Sequence, residues 1–547
     1  MKLNYNLLII ILTLFSCSSR TFMESDEDDS WHDGEIPVCE VVNGVGQDQL
    51  FENSNALESG NFFERGPYPI WNNSPEDTCS YELVTPDDTI FPGTELYITY
   101  PVKQWPTETG ISEISDGAFP VFLFSHANND EVSRLYKNYK SLMNHLSSWG
   151  FIAVSINSEE ENCQPSSSEN LRDRADRMHS AIAALEKENQ NPDSIFYQKL
   201  DLSRLFISGH SRGGGAAMVV LSEIPDSIAG IVTFMPVDHT KYGFGSLDVE
   251  IPSLIVSAEL DTDLEYPYVE KIDGQFKGIY SFLTVNGGIH AYVTDTLWLR
   301  KADDPKISRE QQHDILKLYT TAFLLNASGT QSKSIKNILF SHAGNTTVKE
   351  MISDRGVFTF WNDPGENYIF IDDFQGSYSV SPSETINLTG GGNISSFFTL
   401  SHEVSAWYPD SIVSGDALVR TQARQLVPSD NSSGTFTMEI GGNLELEEKM
   451  QLQFAVKRSD SPSWPESIEI LVHTSSGEYA YSLDDFIGPV SVRERMTQAV
   501  IPLSDISGDS RVFAVSLTVS DGGIFIDNIR FTVETEEEYE TAEESKM

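Results

Sequence analysis

LFISGHSRGGGAAMVV, residues 205–220, joins an apolar run to a segment of small residues that favours a helix. Its centre, Gly209-His210-Ser211-Arg212-Gly213, has the pattern G-x-S-x-G, which marks a strand-to-helix turn so tight that the serine side chain stands out at its tip. Glycines are needed because such a turn leaves no room for side chains beside the serine. The stretch therefore predicts a strand, a sharp turn and a helix, with Ser211 as a candidate nucleophile.

A pattern of five residues also occurs by chance, so the sequence downstream of it matters. The apolar run IPSLIVS, residues 251–257, leads to three acidic residues, Glu259, Asp261 and Asp263. A serine nucleophile requires a carboxylate that holds a histidine in the right tautomer and stabilises its charged form. Asp261 is the predicted carboxylate, and Glu259 and Asp263 remain alternatives.

A candidate base follows the next apolar run, residues 280–285. There the chain reads Asn-Gly-Gly-Ile-His, with the glycines at 287 and 288 and the histidine at 290. A histidine on a flexible loop beyond a strand suits a general base that accepts the proton of Ser211 and later returns it to a leaving alcohol. We predict a catalytic triad of Ser211, Asp261 and His290.

Such a triad needs two backbone N–H groups aimed at the developing negative oxygen. One is expected from Arg212, directly after the nucleophile, and the other from Asn128 in the loop after the apolar run at 121–124. Because that donor is main chain, Asn128→Ala is predicted to be milder than Ser211→Ala. His126 and His210 flank these residues without a third well-spaced ligand, so no metal site is predicted here.

Apolar runs alternate with helical patterns as far as residue 325, which predicts βαβ crossovers and a mainly parallel sheet covered on both faces. Predicted strands lie at residues 95–100, 121–124, 151–156, 205–208, 228–234, 253–257 and 280–285, and predicted helices at 132–146, 171–185 and 309–325.

Beyond residue 326 the helical periodicity ends, and short alternating strands predict an antiparallel β-sandwich. These strands lie at residues 435–440, 452–456, 468–472, 512–519 and 524–531. A sugar-stacking face, or alternatively core packing, is predicted for Trp407, Tyr408, Trp464, Tyr479 and Tyr481. A structural calcium ion is the one cofactor considered, held by Asp372, Asp373 and Asp527.

The chain has 547 residues, a formal net charge of −46 and a sequence pI of about 4.4. This length predicts two folded domains plus tails. The negative charge argues against nucleic acid and anionic membrane surfaces as partners, because phosphates would be repelled.

The amino terminus reads as an export signal, with an apolar run at residues 7–15 followed by Ser16-Cys17. Residues 14–17, LFSC, resemble a bacterial lipobox, which implies lipidation of Cys17 and an outer-membrane location; a plain signal peptide is the alternative. Cys39, Cys79 and Cys163 then remain for one disulfide and one free thiol, and the pairing stays open.

The predicted organisation has six segments. These are a signal peptide at 1–16, an acidic disordered tether at 17–80, an α/β catalytic domain at 81–328, a connector at 329–365, a β-sandwich at 366–534 and an acidic tail at 535–547.

Residues 81–325 resemble the α/β-hydrolase branch that contains cutinase-like polyester hydrolases, chlorophyllases and platelet-activating-factor acetylhydrolases. The resemblance rests on VFLFSHANND, SSWGFIAVSIN, LSRLFISGHSRGG, IPSLIVSAELDTD and VNGGIH. It implies an exported carboxylic ester hydrolase that acts through an acyl-enzyme, with the triad and oxyanion hole given above. Expected substrates are lipids, acylated polysaccharides or polyesters.

Two positions depart from the polyester-cleaving relatives. The resemblance places Val237 and His210 at substrate-binding positions, and relatives have a tryptophan where Val237 follows Pro236 and an aromatic residue where Asn128 stands. An aromatic clamp is therefore missing from both places.

The carboxyl-terminal half resembles a jelly-roll, carbohydrate-binding module, on the cues IFIDDF at 369–374 and GIFIDNIRF at 523–531. A polysaccharide is its expected ligand. The alternative functions are an inactive surface-binding protein and a peptidase on the same fold.

Overall fold

The computed structural model describes residue 57, residues 60–69, 81–103, 113–129, 132–258, 260–264, 276, 278–296, 303–330 and 332–340, and in the carboxyl-terminal half residues 357–362, 368–372, 395–396, 398–404, 422–428, 433–445, 450–458, 465–486, 497–506 and 510–533. Several predicted features lie outside these residues: the export signal, the acidic tail, Cys17, Cys39, Cys79, Glu259, Asp373, Trp407, Tyr408 and Trp464, together with the side chains of Cys163, Asp372 and Asp527.

A nine-stranded sheet organises the first domain. Its strands are β1 (Tyr81–Val84), β2 (Glu95–Thr99), β3 (Phe119–Ser125), β4 (Ile152–Ile156), β5 (Leu200–His210), β6 (Gly230–Phe234), β7 (Ser253–Ala258), β8 (Tyr280–Val285) and β9 (Val357–Asn362). They lie in the order β1-β2-β4-β3-β5-β6-β7-β8-β9. The strands from β4 to β8 in this order pair in parallel, while β1, β2 and β9 pair antiparallel at the two edges. The predicted mainly parallel sheet is confirmed.

Among the residues that the structure describes, five α-helices cover this sheet. They are α1 (Lys140–Ser148), α2 (Ser168–Gln190), α3 (Arg212–Glu223), α4 (Arg309–Ala327) and α5 (Lys333–Phe340). Apolar residues of α2 and α3 belong to one buried cluster, and those of α1, α4 and α5 belong to another. Helices therefore pack on both faces, as a parallel sheet requires. Within the described residues, no helix combines the length and apolarity needed to cross a membrane.

Strand β3 shows how its sequence produces this two-sided packing. Val121 and Leu123 belong to the cluster on the α2 and α3 face, while Phe122 and Phe124 belong to the opposite one. Successive side chains of a strand point to opposite faces, so a strand buried on both sides must be apolar throughout. The carboxyl end of β3 is thereby fixed beside that of β5.

Two predicted boundaries differ from the structure. The helical pattern at 132–146 is divided into a 3₁₀ turn, Leu135–Lys137, and helix α1. The predicted connector at 329–365 instead contributes α5 to the core and β9 to the sheet edge, with Leu283 of β8 opposite Thr359. The first domain therefore extends beyond residue 328, because short elements that complete a core carry little periodic signal of their own.

Part of the predicted tether is also folded. Phe62 is fully buried and meets Trp149 edge to face, with ring centroids 5.3 Å apart. The backbone N–H of Tyr68 donates to Ser148 O at 3.0 Å, and that of Gly66 donates to Ser148 Oγ at 2.9 Å. Isolated aromatic residues in a turn-rich stretch thus provide packing that composition alone does not reveal.

Two antiparallel sheets form the carboxyl-terminal half. Their strands are β10 (Tyr368–Asp372), β11 (Ser395–Ser396), β12 (Phe398–Val404), β13 (Gln422–Pro428), β14 (Ser433–Glu445), β15 (Met450–Arg458), β16 (Ser467–Thr474), β17 (Gly477–Ser482), β18 (Thr497–Pro502), β19 (Arg511–Ser520) and β20 (Ile524–Val533). One sheet has the order β12-β13-β20-β15-β18, with β10 also paired to β20, and the other has the order β11-β14-β19-β16-β17. Side chains from both sheets share one apolar core, so the strands form a sandwich.

Two of the predicted sugar-stacking residues pack differently. Tyr479 and Tyr481 lie half-buried against the sandwich core. The hydroxyl of Tyr481 donates to Asp505 Oδ1 at 2.6 Å. These two rings serve the packing of β17, which was the alternative prediction for them.

Candidate active site

Ser211 lies at the junction between β5, which ends at His210, and α3, which begins at Arg212. Its φ of 57° and ψ of −118° are strained for a residue with a side chain. Three hydrogen bonds hold this backbone: Ser211 N–H donates to Phe234 O at 3.0 Å, and Ser211 O accepts from Val237 N at 3.0 Å and Gly215 N at 3.1 Å. The sharp turn predicted from the glycine pattern is present.

The glycines of this turn allow very close backbone approaches. A Cβ on Gly213 would lie 2.0 Å from Ser125 O, and one on Gly209 would lie 2.3 Å from Gly213 O. No side chain fits at either position. The first turn of α3 consequently lies directly against the loop that follows β3.

The predicted acid and base are joined by a hydrogen bond. His290 Nδ1 donates to Asp261 Oδ2 at 2.8 Å. Asp261 Oδ1 accepts from the backbone N–H groups of Asp263 at 2.8 Å and Leu264 at 3.0 Å. Burial alone would raise the pKa of Asp261, but the charge and hydrogen bond of His290, with these N–H groups, outweigh burial and lower the pKa below 3.8. Asp261 therefore stays ionised and fixes His290 with its proton on Nδ1.

His210 links the serine turn to this pair. Its ring centroid lies 4.5 Å from that of His290, with the planes 38° apart. Its Nδ1 lies 3.0 Å from the hydroxyl of Tyr139, which itself accepts from Ala127 N at 3.1 Å. The hydroxyl therefore donates to Nδ1, and burial holds the pKa of His210 well below its ordinary value. His210 is a fully buried, neutral neighbour of His290, so it has no surface on which a substrate could lie.

Hydrogen bonds from buried polar groups hold the loop after β3. Arg174 Nη1 donates to His126 O at 3.0 Å, and Ser158 N donates to His126 Nε2 at 2.9 Å. His126 Nδ1 in turn donates to Ala127 O at 2.6 Å. Burial, together with the positive charge of Arg174, lowers the pKa of His126 to about 3, so this histidine is neutral. The backbone of the loop is thus fixed in place.

Asn128 and Arg212, the residues expected to supply the oxyanion hole, are connected through their side chains. Arg212 Nη1 donates to Asn128 Oδ1 at 2.9 Å and to Gln164 O at 3.2 Å, and Nη2 donates to Ser166 Oγ at 2.5 Å. The guanidinium therefore ties the serine turn to two neighbouring loops. Sequence reasoning assigned only the main chain of these two residues.

The loop that carries His290 is held by a residue that sequence reasoning missed. Gln312 of α4 is fully buried, accepts from Ile289 N at 3.0 Å and donates to Ile289 O at 2.9 Å. Leu260 N donates to Gly288 O at 2.9 Å, which joins the acid loop to the base loop. The sequence signal was a polar residue on the buried side of a predicted helix. Gln312 therefore fixes the peptide directly before the candidate base.

Val237 is buried against the start of α3. Its Cγ2 lies 2.5 Å from the place where a Cβ of Gly215 would stand. The side chain of Asn128 accepts a hydrogen bond from Arg212. Neither Val237 nor Asn128 therefore offers an aromatic face to a substrate. Among the described residues, no group of three or more histidine, cysteine, aspartate or glutamate side chains could hold a metal ion.

The sheet order, the strained serine and the buried carboxylate–imidazole pair together define an α/β-hydrolase domain. Residues 136–295 match the family model described as PET hydrolase-like. That segment contains Ser211, Asp261 and His290 but not Asn128. The segment is thus similar to cutinase-like α/β-hydrolases.

Curated relatives match over part of this segment. Cutinase est1 of Thermobifida alba is 31% identical over 117 residues, which cover 21% of this chain and 35% of the relative. Cutinase 2 of Thermobifida cellulosilytica is 31% identical over 117 residues, covering 21% of this chain and 40% of the relative. Lipase 1 of Moraxella sp. (strain TA144) is 28% identical over 116 residues, covering 21% and 31%. The chain spans roughly a third of the length of these relatives.

Proposed function

We propose that the protein is a carboxylic ester hydrolase that works through an acyl-enzyme on Ser211. The observation that carries this proposal is the 2.8 Å hydrogen bond from His290 Nδ1 to Asp261, beside a serine held at a φ of 57°. The names of the matching relatives, cutinases and a lipase, support the same reaction class.

In the first half of the reaction, Ser211 Oγ attacks the ester carbonyl carbon while its proton moves to His290 Nε2. The ionised Asp261 stabilises the imidazolium that forms. The bond from the carbonyl carbon to the alcohol oxygen then breaks, and His290 returns the proton to the departing alcohol. An acyl group remains on Ser211.

In the second half, water replaces the alcohol. His290 Nε2 accepts a proton from water as the water oxygen attacks the acyl carbon. The proton then passes to Ser211 Oγ when the bond between the acyl carbon and Oγ breaks, which releases the acid. The backbone N–H groups of Arg212 and Asn128 stabilise the negative oxygen in both halves. Loss of one such donor costs about 100- to 1000-fold in turnover in serine hydrolases.

The substrate is an ester of a lipid, an acylated polysaccharide or an aliphatic polyester. The buried Val237 and the engaged side chain of Asn128 leave no aromatic surface at two positions beside the reacting carbonyl. This favours esters without aromatic acyl groups over terephthalate-like polymers. No cofactor is needed for this chemistry.

The β-sandwich is a jelly-roll module that docks the enzyme on a polysaccharide, and the protein is exported and anchored to the outer membrane through lipid on Cys17. The proposal for the sandwich is supported by its two antiparallel sheets over one core. The proposal for the anchor is supported by the sequence LFSC at residues 14–17.

Labelling with a fluorophosphonate tests the nucleophile. Wild-type protein should react, and Ser211→Ala should not, while both unfold at similar temperatures. A series of p-nitrophenyl esters from acetate to palmitate then measures the preferred chain length. Amide turnover above ester turnover would identify a peptidase, and equal traces for wild type and Ser211→Ala would identify a binding protein.

A further inference from the structure

Two carboxylates flank the candidate base, one beside each ring nitrogen. Asp261 Oδ2 lies 2.8 Å from His290 Nδ1, and Asp263 Oδ2 lies 3.5 Å from His290 Nε2. The side chain of Asp261 is 2% exposed and that of Asp263 is 24% exposed. Asp263 is therefore the more exposed of the two carboxylates, and it faces the ring nitrogen that accepts the serine proton in the proposed reaction.

The position of Asp263 matters only for one protonation state of the ring. Because Nδ1–H donates to Asp261, Nε2 of the neutral ring carries a lone pair, which gains nothing from a facing carboxylate. Once Nε2 takes the serine proton, the same carboxylate faces a cation at 3.5 Å. Attraction that appears only as the proton moves lowers the barrier of the step.

We propose that Asp263 is a second carboxylate of the catalytic base, which stabilises the His290 imidazolium during acylation and disfavours anionic leaving alcohols. This inference rests on the proposed esterase function. It assigns to Asp263 a role beside Asp261, where the sequence offered it only as a replacement for Asp261.

The other groups around the ring leave this attraction in place. His210, stacked on His290, is held neutral by burial. Arg212 interacts electrostatically with Asp263, but its guanidinium is engaged by hydrogen bonds to Asn128 and Ser166. Within the described residues, Asp261 and Asp263 are the carboxylates that contact His290.

The effect of a carboxylate beside the base depends on pH. At high pH the carboxylate speeds proton transfer, because the base is stronger. At low pH this gain is cancelled, because a larger fraction of His290 is already protonated. Asp263→Asn should therefore lower kcat at pH 9 about three- to tenfold and shift the acid limb of the kcat/KM profile downward by about half to one pH unit. The two profiles converge toward acidic pH.

The same charge sets a preference for the leaving alcohol. Suitable probes are phenyl acetate, 3-acetoxybenzoate with an anionic alcohol, and 3-acetoxyphenyl-trimethylammonium with a cationic one. Asp263→Asn should raise kcat/KM for the anionic ester relative to phenyl acetate about fivefold and lower it for the cationic ester by a similar factor. Because each ester is compared between wild type and variant, its intrinsic reactivity cancels.

Three variants of the full chain carry the experiment. Asp263→Asn removes the charge, Asp263→Glu keeps it, and Asp226→Asn removes an exposed charge on the 3₁₀ turn Pro225–Ser227, which follows the end of α3 opposite to Ser211. Asp263→Glu should retain the wild-type acid limb and charge preference, and Asp226→Asn should match wild type throughout. In 1 M NaCl the wild-type acid limb should move toward that of Asp263→Asn.

A profile of Asp263→Asn that is merely scaled, with the acid limb and charge preference unchanged, would overturn the inference while leaving the esterase function intact. If Asp263→Asn does not fold, a wild-type acid limb that salt does not move would overturn the inference in the same way. Absence of any ester turnover or fluorophosphonate labelling in wild type would instead remove the proposed function.

Discussion

The ring of His210 lies against the ring of His290, with centroids 4.5 Å apart and planes inclined by 38°. His210 precedes the serine in the chain, and His290 follows it by 79 positions in the numbering. Their contact is thus a direct physical link between the strained serine turn and the candidate base. A general base must be held within a few tenths of an ångström of its proton donor, so such a contact has consequences for rate.

Replacing His210 should lower turnover by loosening His290. His210→Ala removes the ring contact and the hydrogen bond from Tyr139, and we expect kcat for p-nitrophenyl acetate to fall about 10- to 100-fold. His210→Phe keeps a ring against His290 and should lose less. Steady-state kinetics at 25 °C, with melting temperatures for both variants, measures this. Equal kcat in His210→Ala and wild type would contradict the positioning role.

Gln312 should affect rate more than binding. Gln312→Met removes both hydrogen bonds to the Ile289 peptide, and we expect kcat to fall about tenfold or more with KM little changed. Leu325→Ala is the matched control, because it removes buried apolar packing near the opposite end of the same helix. The control should lower the melting temperature while preserving kcat at 25 °C. A similar loss of kcat in both variants would show that Gln312 acts through stability alone.

The side chains of Arg212 and Asn128 are joined by a hydrogen bond that the sequence does not predict. Asn128→Ala is expected to be milder than Ser211→Ala because the oxyanion donor is main chain, but this substitution also removes the acceptor of the Arg212 bond. Arg212→Met should cause a comparable loss in kcat, about three- to tenfold. A double-mutant cycle measures the coupling, which we expect to be about 0.5–1.5 kcal/mol. Fully additive losses would mean that the bond does not position the loop.

Buried histidines should make the fold acid-sensitive. Burial lowers the pKa of His126 and of His145 to about 3, and that of His313 to about 4. Histidine in the unfolded chain titrates near 6.5, so between about pH 3 and 6.5 the unfolded state binds more protons than the folded state. The free energy of unfolding should therefore decrease as pH falls through this window.

Melting temperatures at pH 7.5, 6, 5 and 4 test this sign. His145 Nε2 donates to Phe62 O at 2.8 Å, a bond that a glutamine amide can replace without a titrating group. His145→Gln should therefore show a shallower loss of melting temperature with acid than wild type. A stability that is constant from pH 7.5 to 4 would contradict the neutral state of these histidines.

Much of this site could be predicted from sequence because its signals are local. The glycines around Ser211, the acids after the 251–257 run and the Gly287-Gly288 pair before His290 each announce a turn at a strand end. Parallel strands bring such ends to one edge of a sheet, which explains why Asp261 and His290 meet. Their order along the chain was sufficient to predict that meeting.

Other features escaped prediction because they depend on groups distant in the chain. Phe62 packs its ring against Trp149, and the buried amide of Gln312 accepts a hydrogen bond from Ile289. In each case the partner lies in another segment of the chain. Strand β9 at 357–362 belongs to the sheet because β8 offers it an unpaired edge. None of these pairings leaves a periodic mark on the sequence.

The sequence by itself determined the alternation of strands and helices in the first domain and singled out Ser211, Asp261 and His290 as candidates, since turn residues and apolar runs act over a few positions. Tertiary structure alone decided which acid serves each nitrogen of His290. Asp261 and Asp263 are two residues apart and chemically alike, and only the fold places one at 2.8 Å from Nδ1 and the other at 3.5 Å from Nε2. The direction of the hydrogen bonds around a ring is set by the packing of distant segments, which a linear pattern does not encode.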